Sequence, residues 1–155
     1  MQGDNPIRWQ WRHFDLFTAR EWHAILNLRA KIFVVEQDCP YVDPDEKDMK
    51  SWHLSGFDGD KLVATLRAVP PGVSYQDSSI GRVVCDADYR GRQLGREMMH
   101  LGIAFNRTLW GGSIRISGQA YLQNFYHSLG FVTVKGPYQE DDIPHYEMVL
   151  DPEAG

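Results

Sequence analysis

Apolar residues along this chain recur at spacings of about 3.6 and about 2 residues, and the changes between the two spacings divide it into elements. The first helix opens at Phe17-Thr18-Ala19-Arg20-Glu21-Trp22. Thr18 and Glu21 have capping-box spacing, and Phe17 and Trp22 can form a hydrophobic staple. Trp22, Leu26, Arg29 and Phe33 then fall on one face, which puts Arg29 in a mainly apolar stripe. Cys39 to Lys50 is acidic and interrupted by Pro40 and Pro44, so it reads as a loop or a broken second helix. Trp52–Phe57 and Lys61–Val69 read as a hairpin joined through Asp58-Gly59. Pro70 to Asp77 is a surface connection and Ser79 to Cys85 a strand.

In the second half, Leu94, Met98, Leu101 and Phe105 form the apolar face of a helix. A strand over Ser113 to Ser117 leads into a helix over Tyr121–Leu129. Gly130 suits the left-handed position that closes this helix, and Phe131 can pack back on its last turn. Phe131–Val134 and Tyr146–Leu150 are the final predicted strands, separated by a Gly136-Pro137 turn and an acidic loop. Helices followed by strands interleaved with helices predict a mixed α/β sheet domain.

The whole span 1–155 is expected to fold as one domain with a sizeable core. Apolar residues make up 43% and charged residues 24%, an ordinary balance for a globular chain. The net charge of -5 argues against a nucleic-acid partner, which calls for a concentrated basic surface. It slightly favours a cationic small-molecule or peptide partner over an anionic one. No apolar run has the length of a membrane span, and the amino end lacks the apolar core of a signal peptide. Two cysteines, Cys39 and Cys85, make neither a disulfide framework nor a metal site. The expectation is a cytoplasmic protein with no metal, no membrane partner and no nucleic acid. Trp9 and Trp11, read as exposed, would suit a homodimer interface.

The chemistry concentrates in Arg90-Gly91-Arg92-Gln93-Leu94-Gly95-Arg96, which lies between a strand and an amphipathic helix. Unpaired N–H groups at a helix start, together with the helix dipole, attract a pyrophosphate. Gly91 and Gly95 let the backbone approach it, and Arg90, Arg92 and Arg96 add positive charge. Without further context the same loop also reads as a solvated tight turn. The Walker and Rossmann phosphate patterns are both absent.

Val83-Val84-Cys85-Asp86-Ala87-Asp88-Tyr89-Arg90-Gly91-Arg92-Gln93-Leu94-Gly95 resembles motif A of the GNAT acetyltransferases, Arg/Gln-x-x-Gly-x-Gly/Ala after a strand. Gln93 replaces the first glycine of that motif. A negative φ there leaves the loop intact, and a positive φ strains it. The resemblance implies that loop amides hold the pyrophosphate of acetyl-CoA and that Val83, Val84 and Cys85 lie beside pantetheine. For Cys85 a packing role is preferred over a covalent acyl-enzyme, because nothing in the sequence supplies an activating base.

Phe125-Tyr126-His127-Ser128-Leu129-Gly130-Phe131 resembles the end of the family's motif B. That resemblance gives Tyr126 the role of donating a proton or hydrogen bond to the departing thiolate, as a phenol of pKa about 10 can. Its competing reading is a half-buried core aromatic. Gln119 and Asn124 are candidate contacts to the pantetheine amides, or else caps.

Leu28-Arg29, Val34-Val35-Glu36-Gln37, Cys39-Pro40-Tyr41, Asp48, His53-Leu54, Leu122-Gln123-Asn124-Phe125-Tyr126 and Ile143-Pro144-His145 are similar to the ElaA-like subgroup of this superfamily. The resemblance covers most of the chain from about Leu28 to Met148. It implies the acyl-CoA N-acyltransferase fold, with a mixed, mostly antiparallel sheet flanked by helices and opened at the cofactor-binding strand. It also implies acetyl-CoA as donor to an amine.

An ammonium must lose a proton before attack, so Glu36, His145 and His53 are candidate bases. With Arg29 they are also candidate acceptor contacts. Glu36 alternatively pairs with Arg29, seven residues earlier, and His145 is alternatively a satisfied edge histidine. Asp43, Asp45, Glu46 and Asp48 read as a solvated acidic loop able to steer a cationic acceptor. Three rivals stand beside the acetyltransferase: an acyl-homoserine-lactone-synthase-like enzyme, a non-catalytic acyl-CoA sensor and a purely structural protein.

Overall fold

The computed structural model describes residues 6–153. Strand β1 (Arg8–His13) leads through a short turn to helix α1 (Ala19–Arg29). The predicted start of α1 is present in full: Thr18 accepts from the Glu21 N–H and Glu21 accepts from the Thr18 N–H. Phe17 packs edge-on against Trp22, ring centroids 5.7 Å apart. α1 buries Ile25, Leu28 and Arg29, and it widens into a π-helical segment over Ala30–Glu36.

Strands β2 (Trp52–Asp58), β3 (Lys61–Val69) and β4 (Ser79–Cys85) continue antiparallel from β1, in the order β1-β2-β3-β4. Helix α2 (Leu94–Leu109) follows. Strand β5 (Ile114–Gln119), the short helix α3 (Gln123–Ser128), and strands β6 (Val132–Glu140) and β7 (Ile143–Leu150) complete the chain, with a second antiparallel sheet ordered β5-β7-β6. Gly130 is left-handed, and its N–H and that of Phe131 bond back to His127 and Tyr126, closing α3 as expected.

One apolar core joins both sheets: Leu54, Leu66, Ile80, Met98, Met99, Ile114, Ile116, Met148 and Leu150 are each at most 4% exposed. Each such side chain stabilises the fold by roughly 1.5–3 kcal/mol relative to exposure.

Four expectations change. β1 was not predicted as a strand, and its two tryptophans are half-buried instead of exposed. Trp11 stacks on Phe105 of α2 at 4.0 Å. Trp9 lies across Gly56, where a Cβ would come within 2.5 Å of its ring, and donates to Glu97 at 2.7 Å. The Gly136-Pro137 turn does not form; β6 runs through it with register shifts, because the turn lies further on, at Asp141-Asp142. β5 extends to Gln119, which puts Gln119 on a strand.

The acidic loop, finally, is not a solvated steering surface. Asp43 and Asp48 are 4% and 2% exposed, and with Asp45 they are neutralised by Arg29, Arg67 and Arg82. A buried carboxylate needs such partners, because losing water costs several kcal/mol per ion.

Candidate active site

β4 and β5 meet only at one end. Among the described residues their pairing is confined to a bridge between Ser78 and Ile114, where the Arg115 N–H donates to the Ser78 carbonyl at 2.9 Å. From there the sheets splay apart. Opposite Leu66, β4 carries an extra residue, with Arg82 left-handed at φ 50°, and this bulge bends the strand. The opening holds a cavity of about 530 Å³ lined by β4 (Val83, Val84, Cys85), β5, the π-helical segment, Tyr126 and the β6–β7 hairpin.

A second hollow of about 290 Å³ lies at the start of α2, lined by Arg90, Gly91, Gln93, Leu94, Gly95 and Arg96. Cys85, Arg90, Gly95 and Phe125 line both, so the two are continuous. α2 begins without a side-chain cap, which leaves its first N–H groups to a ligand. No Cβ intrudes at Gly91 or Gly95. The residues present therefore fit a pyrophosphate at the helix start and an extended arm between β4 and β5.

Gln93 adopts φ 63°. The strained alternative set out from sequence is thus the one the loop takes, at a cost of about 1–2 kcal/mol for a non-glycine residue. Gln93→Gly is expected to raise stability in urea unfolding by up to about 1 kcal/mol, the relief being partly offset by a more flexible unfolded chain. Gln93→Val should lose about 1 kcal/mol or more. A destabilising glycine would show that the Gln93 side chain, and not its backbone, holds the loop.

The arginines of the loop are engaged within the protein. Arg90 hydrogen-bonds to Glu36 of the π-helical segment, and this bond raises the Arg90 pKa further. Arg96 donates to Ser128 at 2.9 Å and lies over Phe125; Arg92 lies over Tyr89. Arg92 lines neither hollow, and neither does Asn124, which is exposed on α3. Gln119 reaches the cavity, but its amide is paired with that of Gln37 at 3.2 Å. Burial, outweighing the nearby Arg90, pushes the Cys85 thiol up, which works against a thiolate nucleophile.

Tyr126 lines the cavity with its ring held by Phe125, Phe131 and Gly118. A Cβ on Gly118 would come within 2.7 Å of the Tyr126 ring. Burial, and secondarily Tyr121, pushes the phenol up to about 12, and no hydrogen bond contributes. The group is therefore a neutral donor throughout the physiological range.

The acceptor candidates divide. Arg29 and His53 do not line the cavity. Arg29 is 1% exposed and bonded to Asp43 and Asp48, so the alternative Glu36–Arg29 pairing does not form and Glu36 pairs with Arg90. His53, also 1% exposed, donates from Nε2 to the Asp48 carbonyl at 2.9 Å, and burial pushes its pKa down to about 4. Glu36 and His145 both line the cavity, and so does Glu140, which sequence reasoning did not single out. The available signal was Asp141-Asp142: two residues tolerant of left-handed backbone, placed where a two-residue hairpin turn would aim Glu140 inward.

Among the described residues no cluster of His, Cys, Asp or Glu could hold a metal ion, and no helix is long and apolar enough to cross a membrane.

Residues 49–152 match the acetyltransferase (GNAT) domain model. Over 148 residues the chain is 37% identical to protein ElaA of Escherichia coli, covering 94% of this chain and 97% of that one. The crystal structure of E. coli ElaA superposes with a TM-score of 0.88 over 94% of this chain and all of that one. An acyl-CoA N-acyltransferase from Pseudomonas aeruginosa superposes with a TM-score of 0.89 at 37% identity, over 94% of this chain and 99% of that one. The acyl-homoserine-lactone synthase LasI shares the fold alone, at 10% identity. A sheet splayed beside an uncapped, glycine-flanked helix start and a full-length match to ElaA lead to one assignment: the chain belongs to the GNAT acetyltransferase superfamily, in its ElaA-like group.

Proposed function

We propose that the protein transfers an acetyl group from acetyl-CoA to an amine by direct attack, without an acyl-enzyme. The observation that carries this reading is the continuous hollow running from the α2 start, between β4 and β5, to the buried Tyr126. Acetyl-CoA supplies the activated thioester. The Gly91–Arg96 backbone takes the pyrophosphate, Val83 to Cys85 flank the pantetheine arm, and an N–H of Val84 or Cys85 faces the negative charge that develops on the carbonyl oxygen. Tyr126 donates a hydrogen bond to the departing sulfur, and His145 or Glu36 accepts the proton of the amine.

The test has two stages. A ligand that binds only the native state at 100 times its Kd adds about 2.7 kcal/mol, which for a chain of this size is a rise in Tm of about 5–10 °C. No shift at saturating acetyl-CoA would sink the reading. Release of free thiol across a panel of amines then separates an enzyme from a sensor, which would bind without turnover.

A further inference from the structure

One wall of the cavity is built on the β6–β7 hairpin, which contributes Glu140, Asp141, Ile143 and His145. Asp141 and Asp142 are both left-handed, φ 52° and 63°, so β6 turns into β7 in two residues and Glu140 pairs with Ile143. The Cys39 thiol ties the Asp141 carbonyl to the loop after the π-helical segment. Glu140 and His145 are held on this rigid turn, facing each other.

His145 Nδ1 is 2.7 Å from the Ile143 carbonyl. A carbonyl only accepts, so Nδ1 carries the hydrogen, and Nε2 of the neutral ring presents a lone pair. That lone pair lies 3.5 Å from Glu140 Oε2. The other Glu140 oxygen is already used: Ser117 donates to Oε1 at 3.1 Å, and Tyr138 is hydrogen-bonded to Ser117 at 2.6 Å. With the Nδ1 hydrogen fixed by Ile143, Nε2 and Oε2 lie side by side on the cavity wall, where a ligand with two N–H groups can reach both. The permanent cations nearby are committed elsewhere, Arg82 to Asp43 and Asp45, Arg90 to Glu36, and Arg115 to Asp77 and Glu147. Among the described residues Glu140 pairs with no lysine or arginine.

We infer that the cavity wall where His145 Nε2 and Glu140 Oε2 come side by side is the acceptor subsite, and that it takes a primary alkylammonium with no carboxylate close to the nitrogen. The inference rests on the acetyltransferase reading and names its substrate class. An ammonium offers one N–H to Nε2 and another to Oε2, and its charge offsets Glu140. A carboxylate beside the nitrogen would be repelled by Glu140 and Asp141. The first ammonium proton passes to Nε2 and on to solvent. The freed lone pair forms the N–C bond to the acetyl carbon as the C–S bond breaks. The second N–H proton leaves to solvent or the departing sulfur, giving an amide and free CoA.

Glu140 binds and orients, and His145 accepts the proton. Alkylammonium groups occur on small aminoalkyl compounds and on lysine side chains, so the probes are n-butylamine, Nα-acetyl-lysine amide, glycine and aniline, each tested with acetyl-CoA by thiol release. The first two separate the sources. At least one of them is expected to exceed glycine and aniline by at least tenfold in kcat/KM.

Glu140→Gln should raise the KM of the preferred amine by at least tenfold and leave the KM of acetyl-CoA unchanged. His145→Gln should lower kcat by about 100-fold. A merely structural ion pair would lower Tm without this KM-against-kcat split. Equal or better turnover of glycine or aniline, or an unchanged amine KM in Glu140→Gln, would overturn the inference while leaving the acetyltransferase reading intact. Binding of acetyl-CoA without turnover of any amine would overturn both.

Discussion

Tyr126→Phe is expected to lower kcat by about 10- to 100-fold, with Tm and the KM of acetyl-CoA nearly unchanged. The size follows from the acidity of the two groups. A thiol titrates near 8.5 and the buried phenol near 12, so full transfer of the proton to a thiolate runs uphill by about 3.5 units, or about 5 kcal/mol. In the proposed reaction the proton would therefore stay on oxygen at the transition state, and Tyr126 would contribute a hydrogen bond to a developing charge. Such bonds contribute about 1.5–3 kcal/mol, which is 10- to 150-fold in rate.

The oxygen removed makes no hydrogen bond among the described residues, and the ring that remains keeps its contacts to Phe125 and Phe131. The variant should fold as well as the parent. Steady-state thiol release, with a thermal melt as control, measures both. A kcat within twofold of the parent would remove Tyr126 from the mechanism, and a loss confined to KM would make it a binding group. Cys85 is not a second candidate, since burial holds its thiol protonated.

The hollow at the start of α2, the proposed donor side, was legible in the sequence because local chemistry writes it. A helix start that binds an anion needs glycines and an amphipathic run within a few residues, and Gly91, Gly95 and the Leu94-Met98 face sit in that order. Tyr126 was legible through its distance to Gly130-Phe131, which also closes α3.

The proposed acceptor side was legible only in part: Glu36 and His145 line the cavity as expected, but Arg29 and His53 do not, because pairings there are set by distant strands. Arg29 looked like a pocket residue on its own helix and is instead locked to Asp43 and Asp48. Glu36 looked like its partner and is bound to Arg90, 54 residues away. Glu140 was hidden in an apparent acidic loop because Gly136-Pro137, the stronger turn signal, lies inside a strand. Trp9 and Trp11 were read as exposed because a single polar stretch gives no sign of the α2 face that covers them.

Asp48→Asn is expected to cost about 3–5 kcal/mol of stability, the penalty for unpairing buried charge. At about 2–4 °C per kcal/mol in a chain of this size, Tm falls by about 6–20 °C. Asp48 is 2% exposed and holds two arginines. Arg29 donates to Oδ1 and Oδ2 at 2.9 and 3.2 Å, and Arg67 to Oδ1 at 2.9 Å. Burial alone would push its carboxyl up, but the hydrogen bonds and charges of Arg29 and Arg67 outweigh this and hold it below the usual range. The amide keeps the shape and loses the charge, which leaves Arg67 dependent on the more exposed Asp45.

The same cluster makes the fold acid-labile in two windows. His53 titrates at about 4 in the fold and near 6.5 when unfolded, so the unfolded chain binds the extra proton between those values. Stability then falls by about 3 kcal/mol as pH drops from 6.5 to 4. Below that, Asp48 is lost as pH passes from its unfolded value near 4 through its lowered folded one. Urea unfolding from pH 7 to pH 4 measures the first window as a slope of about 1.4 kcal/mol per pH unit, which should vanish in His53→Gln. The double variant Arg29→Met, Asp48→Leu should be less destabilised than the sum of its single variants, because it removes both charges together. Additive losses would show that Arg29 and Asp48 do not act as a pair.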